Sequence, residues 1–154
     1  MCIRDRILDR GYHCPRAKPS LQGLFVMDAR TWPGAALREH VSQLLRAVRP
    51  DLLVLPEEVI SIGIPAAHGR GAEPISGPTV AAMIEMAGAF KANICIPIIE
   101  DDGGAWYNTA VYVGRDGQIA GCYRKQVPTP GEIDDGIRPG GAGQPAMVID
   151  GPVS

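Results

Sequence analysis

Two charged residues of opposite sign each close an apolar run, and together they could carry acid–base chemistry. Glu57 directly follows the run 51–56, and Lys125 is the last residue of the run 118–125. The ends of buried strands in α/β sheets commonly hold active-site groups. A carboxylate partly withdrawn from water there suits general-base work, and an ammonium can stabilise a developing oxyanion. The alternative for Glu57 is a solvated acid where a helix or loop begins, and the alternative for Lys125 is a charged strand end in water.

Three further polar residues are candidates for the same site. Glu132 follows Lys125 by seven positions and is either a second active-site carboxylate or a loop acid. Asn108 stands among aromatic and apolar residues, so its amide either orients a polar network or marks a bulge. Tyr123 could contact or orient a substrate, because alternate residues of a strand point to the same side. The residues of that strand predicted to share one face are Ile119, Gly121, Tyr123 and Lys125.

The cysteines offer nucleophiles by type but not by setting. Cys95 and Cys122 lie inside apolar runs, and neither has a neighbouring base or helix start in the local sequence to activate its thiol. No Cys-x-x-Cys pair occurs among the four cysteines, which favours reduced thiols and a cytoplasmic protein over a disulfide framework. The three histidines lack ligand spacing, so no zinc site is predicted.

Charge and hydropathy exclude several classes of partner. The 154 residues carry a net charge of −2 and no long basic run, so neither nucleic acid nor an anionic membrane surface is expected to bind. The uncharged stretches are too short to span a bilayer, which takes about 20 apolar residues. The first twenty residues lack the apolar segment of a secretory signal.

The elements that must position these residues follow from hydrophobic spacing. Helical periodicity predicts helices over 33–48 and 79–91, the first with Thr31 as its N-cap, and the segments 60–77 and 126–146 are predicted as loops. Strands are predicted over 21–27, 51–55, 93–99, 106–113, 118–125 and 146–149. Helices alternating with strands, followed by hairpins, predict an α/β fold with a mixed sheet and helices on at least one face. Residues 1–20 have no clean period and are an irregular leader or a sequence artefact.

The ordered motifs resemble the nitrilase superfamily of carbon–nitrogen hydrolases over residues 34–150. The matching segments are PDLLVLPE (50–57), GPT (77–79), YNTAV (107–111), DGQI (116–119), YRK (123–125) and RPG (138–140). The resemblance implies an α-β-β-α sandwich, an oligomer of two or more copies, a small amide, carbamoyl or nitrile substrate, and no cofactor. By motif, Glu57 would be the general base, Lys125 the oxyanion-stabilising residue and Glu132 the additional carboxylate of amidase-like members. A cysteine thiolate would attack the substrate carbon and form a thioester that water hydrolyses.

Departures from the family pattern leave alternatives open. The nucleophilic cysteine of the family would follow the strand predicted at 146–149, beyond Ser154, and the usual first strand is poorly matched. We therefore interpret residues 21–154 as the N-terminal part of a carbon–nitrogen hydrolase domain, inactive alone and prone to aggregate. The second hypothesis is a noncatalytic binding or interaction module of the same family, or an inactive fragment. The third is a different α/β enzyme that uses Cys95 or Cys122.

Overall fold

The computed structural model describes residues 23–25, 34–57 and 71–144. Strands and helices alternate at first, and a strand meander and a short helix follow. In chain order the elements are β1 (Gly23–Phe25), α1 (Gly34–Val48), β2 (Leu52–Val54), α2 (Pro78–Phe90), β3 (Asn93–Asp102), β4 (Ala105–Val113), β5 (Ile119–Arg124) and α3 (Pro130–Asp134). The predicted α/β fold with a mixed sheet is confirmed.

The five strands form one sheet in the order β1-β2-β3-β4-β5. β1, β2 and β3 pair in parallel, and β3, β4 and β5 pair antiparallel. Parallel neighbours need a crossover, which α1 and α2 provide, whereas antiparallel neighbours need only hairpins. The β3–β4 hairpin turns at Gly103 and Gly104, both with positive φ, where glycine avoids the steric penalty of a side chain.

Helices α1 and α2 cover the same face of the sheet and enclose the core with it. Successive crossovers in one direction place their helices on one side, because such connections are right-handed. Alternate strand residues face the helices, as in β3, where Ile94, Ile96 and Ile98 belong to the core cluster. The fully buried side chains with the largest volumes are Leu37, Leu45, Leu53, Met83, Ile94, Ile96, Ile98, Val41, Val80 and Val111.

Two predictions from sequence are wrong in detail. The predicted loop 126–146 contains helix α3, whose start is fixed by a capping box between Thr129 and Glu132. The predicted common face of β5 is interrupted, because a register irregularity pairs Ile119 with Val113 and Gly121 with Tyr112. β5 therefore has one more residue than β4 at this point. This residue interrupts the alternation of side chains that would place Ile119 and Tyr123 on the same face.

Several predictions fall outside the described residues. These are the leader 1–20, the N-cap Thr31, most of the loop 60–77 and the strand 146–149. Within the part of the chain that the structure describes, no helix is long and apolar enough to cross a membrane.

Candidate active site

Four of the predicted site residues converge from four separate elements. Glu57 lies in the turn after β2, and Lys125 directly follows β5. Asn108 belongs to β4, and Glu132 belongs to the first turn of α3. Since β3 lies between β2 and β4 in the sheet, the Glu57 side chain reaches past β3 to meet the other three.

One ammonium and one amide link the two carboxylates. Lys125 Nζ donates to Glu57 Oε1 at 2.7 Å and to Glu132 Oε2 at 2.9 Å. Asn108 Nδ2 donates to Glu57 Oε1 at 2.6 Å and to Glu132 Oε1 at 2.7 Å. The four side chains therefore form a closed ring of hydrogen bonds. With one positive and two negative groups, the ring has a net charge of −1 when all three are ionised.

Glu132 is the carboxylate that the protein holds most firmly. It is 9% exposed, and Thr129 N donates to its Oε2 at 2.6 Å. Burial by itself raises the pKa of Glu132, but the hydrogen bonds from Thr129, Asn108 and Lys125 outweigh it and lower this pKa to about 2. Glu132 is therefore ionised at neutral pH and acts as a fixed acceptor.

Lys125 and Glu57 lie nearer to solvent. The exposed fraction of the side chain is 28% for Lys125 and 55% for Glu57. Burial lowers the pKa of Lys125. The hydrogen bonds to Glu57 and Glu132, together with the negative charges of these carboxylates, outweigh this effect, so the pKa of Lys125 is raised. The ammonium thus stays protonated and can stabilise negative charge without a proton transfer.

Tyr123 is not part of this ring. It pairs with Ala110 across the β4–β5 ladder and is 38% exposed. Within the described residues its hydroxyl makes no hydrogen bond to Glu57, Lys125 or Glu132. A role for Tyr123 in binding or orienting a substrate stays a prediction.

The two described cysteines take no part in the hydrogen bonds of the ring and have unreactive settings. Cys95 is buried in β3, and burial raises the pKa of its thiol although a hydrogen bond with Tyr112 opposes this. Burial also raises the pKa of Cys122, and the charge of Glu100 adds to the effect. Thiols of this kind stay protonated at neutral pH and are poor nucleophiles.

Thr129, whose capping bonds hold Glu132, was not among the residues predicted from sequence. The pattern Thr-Pro-x-Glu at 129–132 is a signature of a helix start with a capping box, and could have been recognised.

A metal centre is not indicated in the described ranges, which contain no group of three or more His, Cys, Asp or Glu side chains arranged to hold an ion.

Comparison with known proteins identifies the family. The family model for carbon–nitrogen hydrolases matches residues 27–137, so the chain belongs to the carbon–nitrogen hydrolase family. This confirms the resemblance to the nitrilase superfamily. The matched segment includes Glu57, Asn108, Lys125 and Glu132.

Individual relatives agree with this assignment. The chain is 32% identical over 78 residues to the bifunctional nitrilase/nitrile hydratase NIT4A of Lupinus angustifolius, covering 46% of the chain and 22% of that protein. It is 35% identical over 68 residues to the β-ureidopropionase of Arabidopsis thaliana, covering 42% of the chain and 17% of that protein. The chain thus spans less than a quarter of the length of these two relatives.

A solved structure supports the fold. The crystal structure of an N-terminal amidase matches with a TM-score of 0.68 at 18% identity, covering 78% of this chain and 31% of that one. Similarity at this level of identity shows a common fold, and does not transfer a substrate.

Proposed function

We propose that the protein is a thiol-dependent carbon–nitrogen hydrolase that acts on a small amide, carbamoyl compound or nitrile, and that this chain supplies all of its charged catalytic groups except the cysteine. The observation that carries the proposal is the Lys125 ammonium held between Glu57 and Glu132. Membership of the carbon–nitrogen hydrolase family supports the reaction class. The nucleophilic cysteine, by the family resemblance, lies beyond Ser154.

In this proposal Glu57 is the general base. Its Oε1 accepts from Lys125 and Asn108, while its Oε2 has no hydrogen bond among the described residues and is free to take a proton. Glu57 would accept the proton of the cysteine thiol as the sulfur attacks the amide carbon. With an amide or carbamoyl substrate, the same proton would pass to the nitrogen, so that ammonia or an amine leaves and a thioester remains. A nitrile would first give a thioimidate, which takes up a water molecule before ammonia leaves.

Lys125 and Glu132 would act on charge and position. The Lys125 ammonium would stabilise the oxyanion that forms when sulfur bonds to the carbon. Glu132, ionised and fixed by Thr129, would keep that ammonium in place. A water molecule, deprotonated by Glu57, would then hydrolyse the thioester and return the thiol.

The first experiment is to sequence the source DNA past the codon for Ser154 and express the complete reading frame. We expect the frame to continue into a strand followed by a cysteine, and the product to release ammonia from simple amides. A stop codon directly after Ser154 would contradict this mechanism and favour the noncatalytic module or the inactive fragment.

Matched substitutions then test the named residues. We expect Glu57→Gln and Lys125→Met each to lower kcat/KM by about 10²-fold or more, as for other acid–base and oxyanion groups. The controls are Glu39→Gln on the exposed side of α1 and Lys91→Met at the exposed end of α2, both expected to keep wild-type activity. Full activity in Lys125→Met would refute the assigned role.

The cysteine assignment has its own test. We expect Cys95→Ser and Cys122→Ser to retain activity, because both thiols are poorly placed and poorly ionised. Loss of activity with a wild-type melting temperature in either variant would instead favour an enzyme that uses that cysteine. A cytoplasmic location and assembly into a homo-oligomer belong to the same proposal.

A further inference from the structure

A second ionic cluster lies behind Lys125, on the other side of the sheet. Consecutive strand residues point to opposite faces, so the side chain of Arg124 faces away from the ring that Lys125 joins. Arg124 Nε and Nη2 donate to the two oxygens of Glu100 at 2.8 and 2.6 Å, and Nη2 also donates to Asp102 Oδ2 at 2.8 Å. This pairing is bidentate, which fixes orientation as well as distance.

Glu100, the bidentate partner of Arg124, is itself held in place. Glu100 is 3% exposed and also accepts from Thr109 Oγ1 at 2.6 Å. The Tyr107 ring stacks on the guanidinium, with Cζ 4.0 Å from the ring centre. A carboxylate this deeply buried requires a paired cation, because an unpaired buried charge is costly. The same ion pair that neutralises Glu100 therefore also fixes the position of the Arg124 guanidinium.

The backbone between the two clusters is held on both of its sides. On one side, Lys125 N donates to Asn108 O at 2.8 Å. On the other side, Gly140 N donates to Lys125 O at 2.8 Å. The side-chain amide of Gln144 accepts from Arg124 N and donates to Arg124 O, both at 2.7 Å, and thus occupies the place of a further strand.

We propose that Arg124, clamped by Glu100, is a positioning residue that fixes the end of β5 so that the Lys125 ammonium lies between Glu57 and Glu132. The role of Arg124 rests on the proposed function of Lys125. The lysine side chain is long and flexible, so the position of its ammonium depends on where its backbone is anchored. Displacement of a catalytic group by 1 Å can cost about 10²-fold in rate.

The test compares Arg124→Met with Arg38→Met in the protein from the complete reading frame. Arg38 makes an ion pair with Glu85 between α1 and α2, so its loss breaks a contact between elements that involves neither β5 nor Lys125. We expect Arg124→Met to lower kcat by about 10- to 100-fold with little change in KM, and Arg38→Met to leave both unchanged. Arg124→Lys keeps the charge but loses the bidentate hydrogen bonds to Glu100, so its kcat should lie between those of wild type and Arg124→Met.

Chemical rescue separates anchoring of the strand from neutralisation of Glu100. Free guanidinium can neutralise Glu100 but is not bonded to the backbone of β5. Guanidinium chloride at millimolar concentration should therefore not restore the kcat of Arg124→Ala, whose short side chain leaves room for the added ion. Recovery of kcat would show that Glu100 needs only a cation nearby, and would overturn the positioning role.

A spectroscopic measurement makes the result independent of activity. With ¹⁵N-labelled lysine, the Lys125 ammonium signal is assigned by its absence in Lys125→Met. We expect this signal to move in Arg124→Met and in Glu100→Gln, which keeps the shape of the partner, and to stay in place in Arg38→Met. If the Lys125 signal does not move in Arg124→Met, the positioning role of Arg124 is contradicted, while the catalytic role of Lys125 is unaffected. A moved signal with unchanged kcat supports the positioning role but contradicts the catalytic role of Lys125.

Discussion

Lys125 and Asn108 together hold two carboxylates that would otherwise repel each other. Each donates to both Glu57 and Glu132, at distances between 2.6 and 2.9 Å. Because the ring has one negative charge in excess, its stability depends on every donor. Single substitutions in the ring should therefore have effects that change with pH or with the charge introduced.

Glu132→Gln should destabilise the protein at neutral pH but not at strongly acidic pH. Because the pKa of Glu132 is lowered from 4.5 to about 2, its ionised form stabilises the folded state fully above pH 4.5. That contribution is lost as the pH falls from 4.5 towards 2. A pKa change of this size corresponds to about 3 kcal/mol in the free energy of unfolding. Urea denaturation at a series of pH values measures the difference between variant and wild type.

The control for this prediction is Glu39→Gln, an exposed glutamate of α1. Its effect should stay within about 0.5 kcal/mol at every pH, as for most surface substitutions. A Glu132→Gln difference that is constant from pH 7 to pH 2, or that grows in acid, would contradict the ionised state assigned to Glu132.

Asn108→Asp should be more harmful at pH 7 than Asn108→Ala, although it preserves the volume of the side chain. Asn108 is 5% exposed, and the aspartate would replace a shared donor with a third negative charge. Alanine removes the donor only: Glu132 Oε1 loses its hydrogen bond, at a cost of about 1–3 kcal/mol, while Glu57 Oε1 keeps the hydrogen bond from Lys125. Chemical denaturation gives the order of the two variants. Asn108→Asp as stable as wild type would show that the amide does not donate to both carboxylates.

At the scale of elements, the end of β5 and the segment 138–144 fit against each other with little tolerance. A Cβ added to Gly140 would lie 2.3 Å from Arg124 O, so backbone would meet backbone. The same segment holds the Lys125 carbonyl through Gly140 N. Any enlargement here must displace the strand end that carries Lys125.

A comparison of Gly140→Ala with Gly141→Ala tests this fit, because both variants carry the same chemical change at neighbouring positions. A Cβ added to Gly141 meets no atom within 4 Å, so that variant should be close to neutral. Gly140→Ala should lower the free energy of unfolding by about 1–3 kcal/mol, as overpacking does in tightly packed sites. Thermal denaturation of the two variants measures the difference. Equal melting temperatures would contradict the close approach of Gly140 to Arg124.

Some elements were predictable from sequence, and others depend on contacts that sequence spacing does not reveal. The longer helices and the strands of the meander follow from apolar periodicity, which is strong over ten or more residues. Helix α3 has five residues, too few for a period, so only its capping signature at Thr129 and Glu132 could predict it. The site residues were candidates because of their type and their positions along the predicted strands and loops, and the family resemblance added roles for three of them. The pairing of Arg124 with Glu100, in contrast, required the register of three strands.

At the scale of the whole molecule, the two faces of the sheet differ. The face under α1 and α2 is sealed, with Ile94, Ile96 and Val111 at 0% exposure. On the other face Tyr112 and Ala110 are half-buried, and Tyr123 is 38% exposed. An apolar sheet face that is only partly covered favours association.

We therefore predict that the 154-residue chain, expressed by itself, self-associates through this second face. Size-exclusion chromatography with light scattering should detect species larger than a monomer, and a dye that binds apolar surface should become fluorescent. Tyr123→Lys, which places a charge on that face, should reduce both signals, whereas Val127→Lys outside the sheet should not. A monomer with a cooperative thermal transition would contradict the prediction.

The separation of the ring residues along the chain has a consequence for the order in which the site forms. Asn108 and Glu132 are 24 residues apart, and Lys125 and Glu132 only seven. Glu57 is 51 residues from Asn108 and 68 from Lys125. Contacts between near neighbours close smaller loops and form sooner during folding. We expect Asn108, Lys125 and Glu132 to assemble with the β3–β5 meander, and the candidate base to arrive last, when β2 docks in parallel against β3.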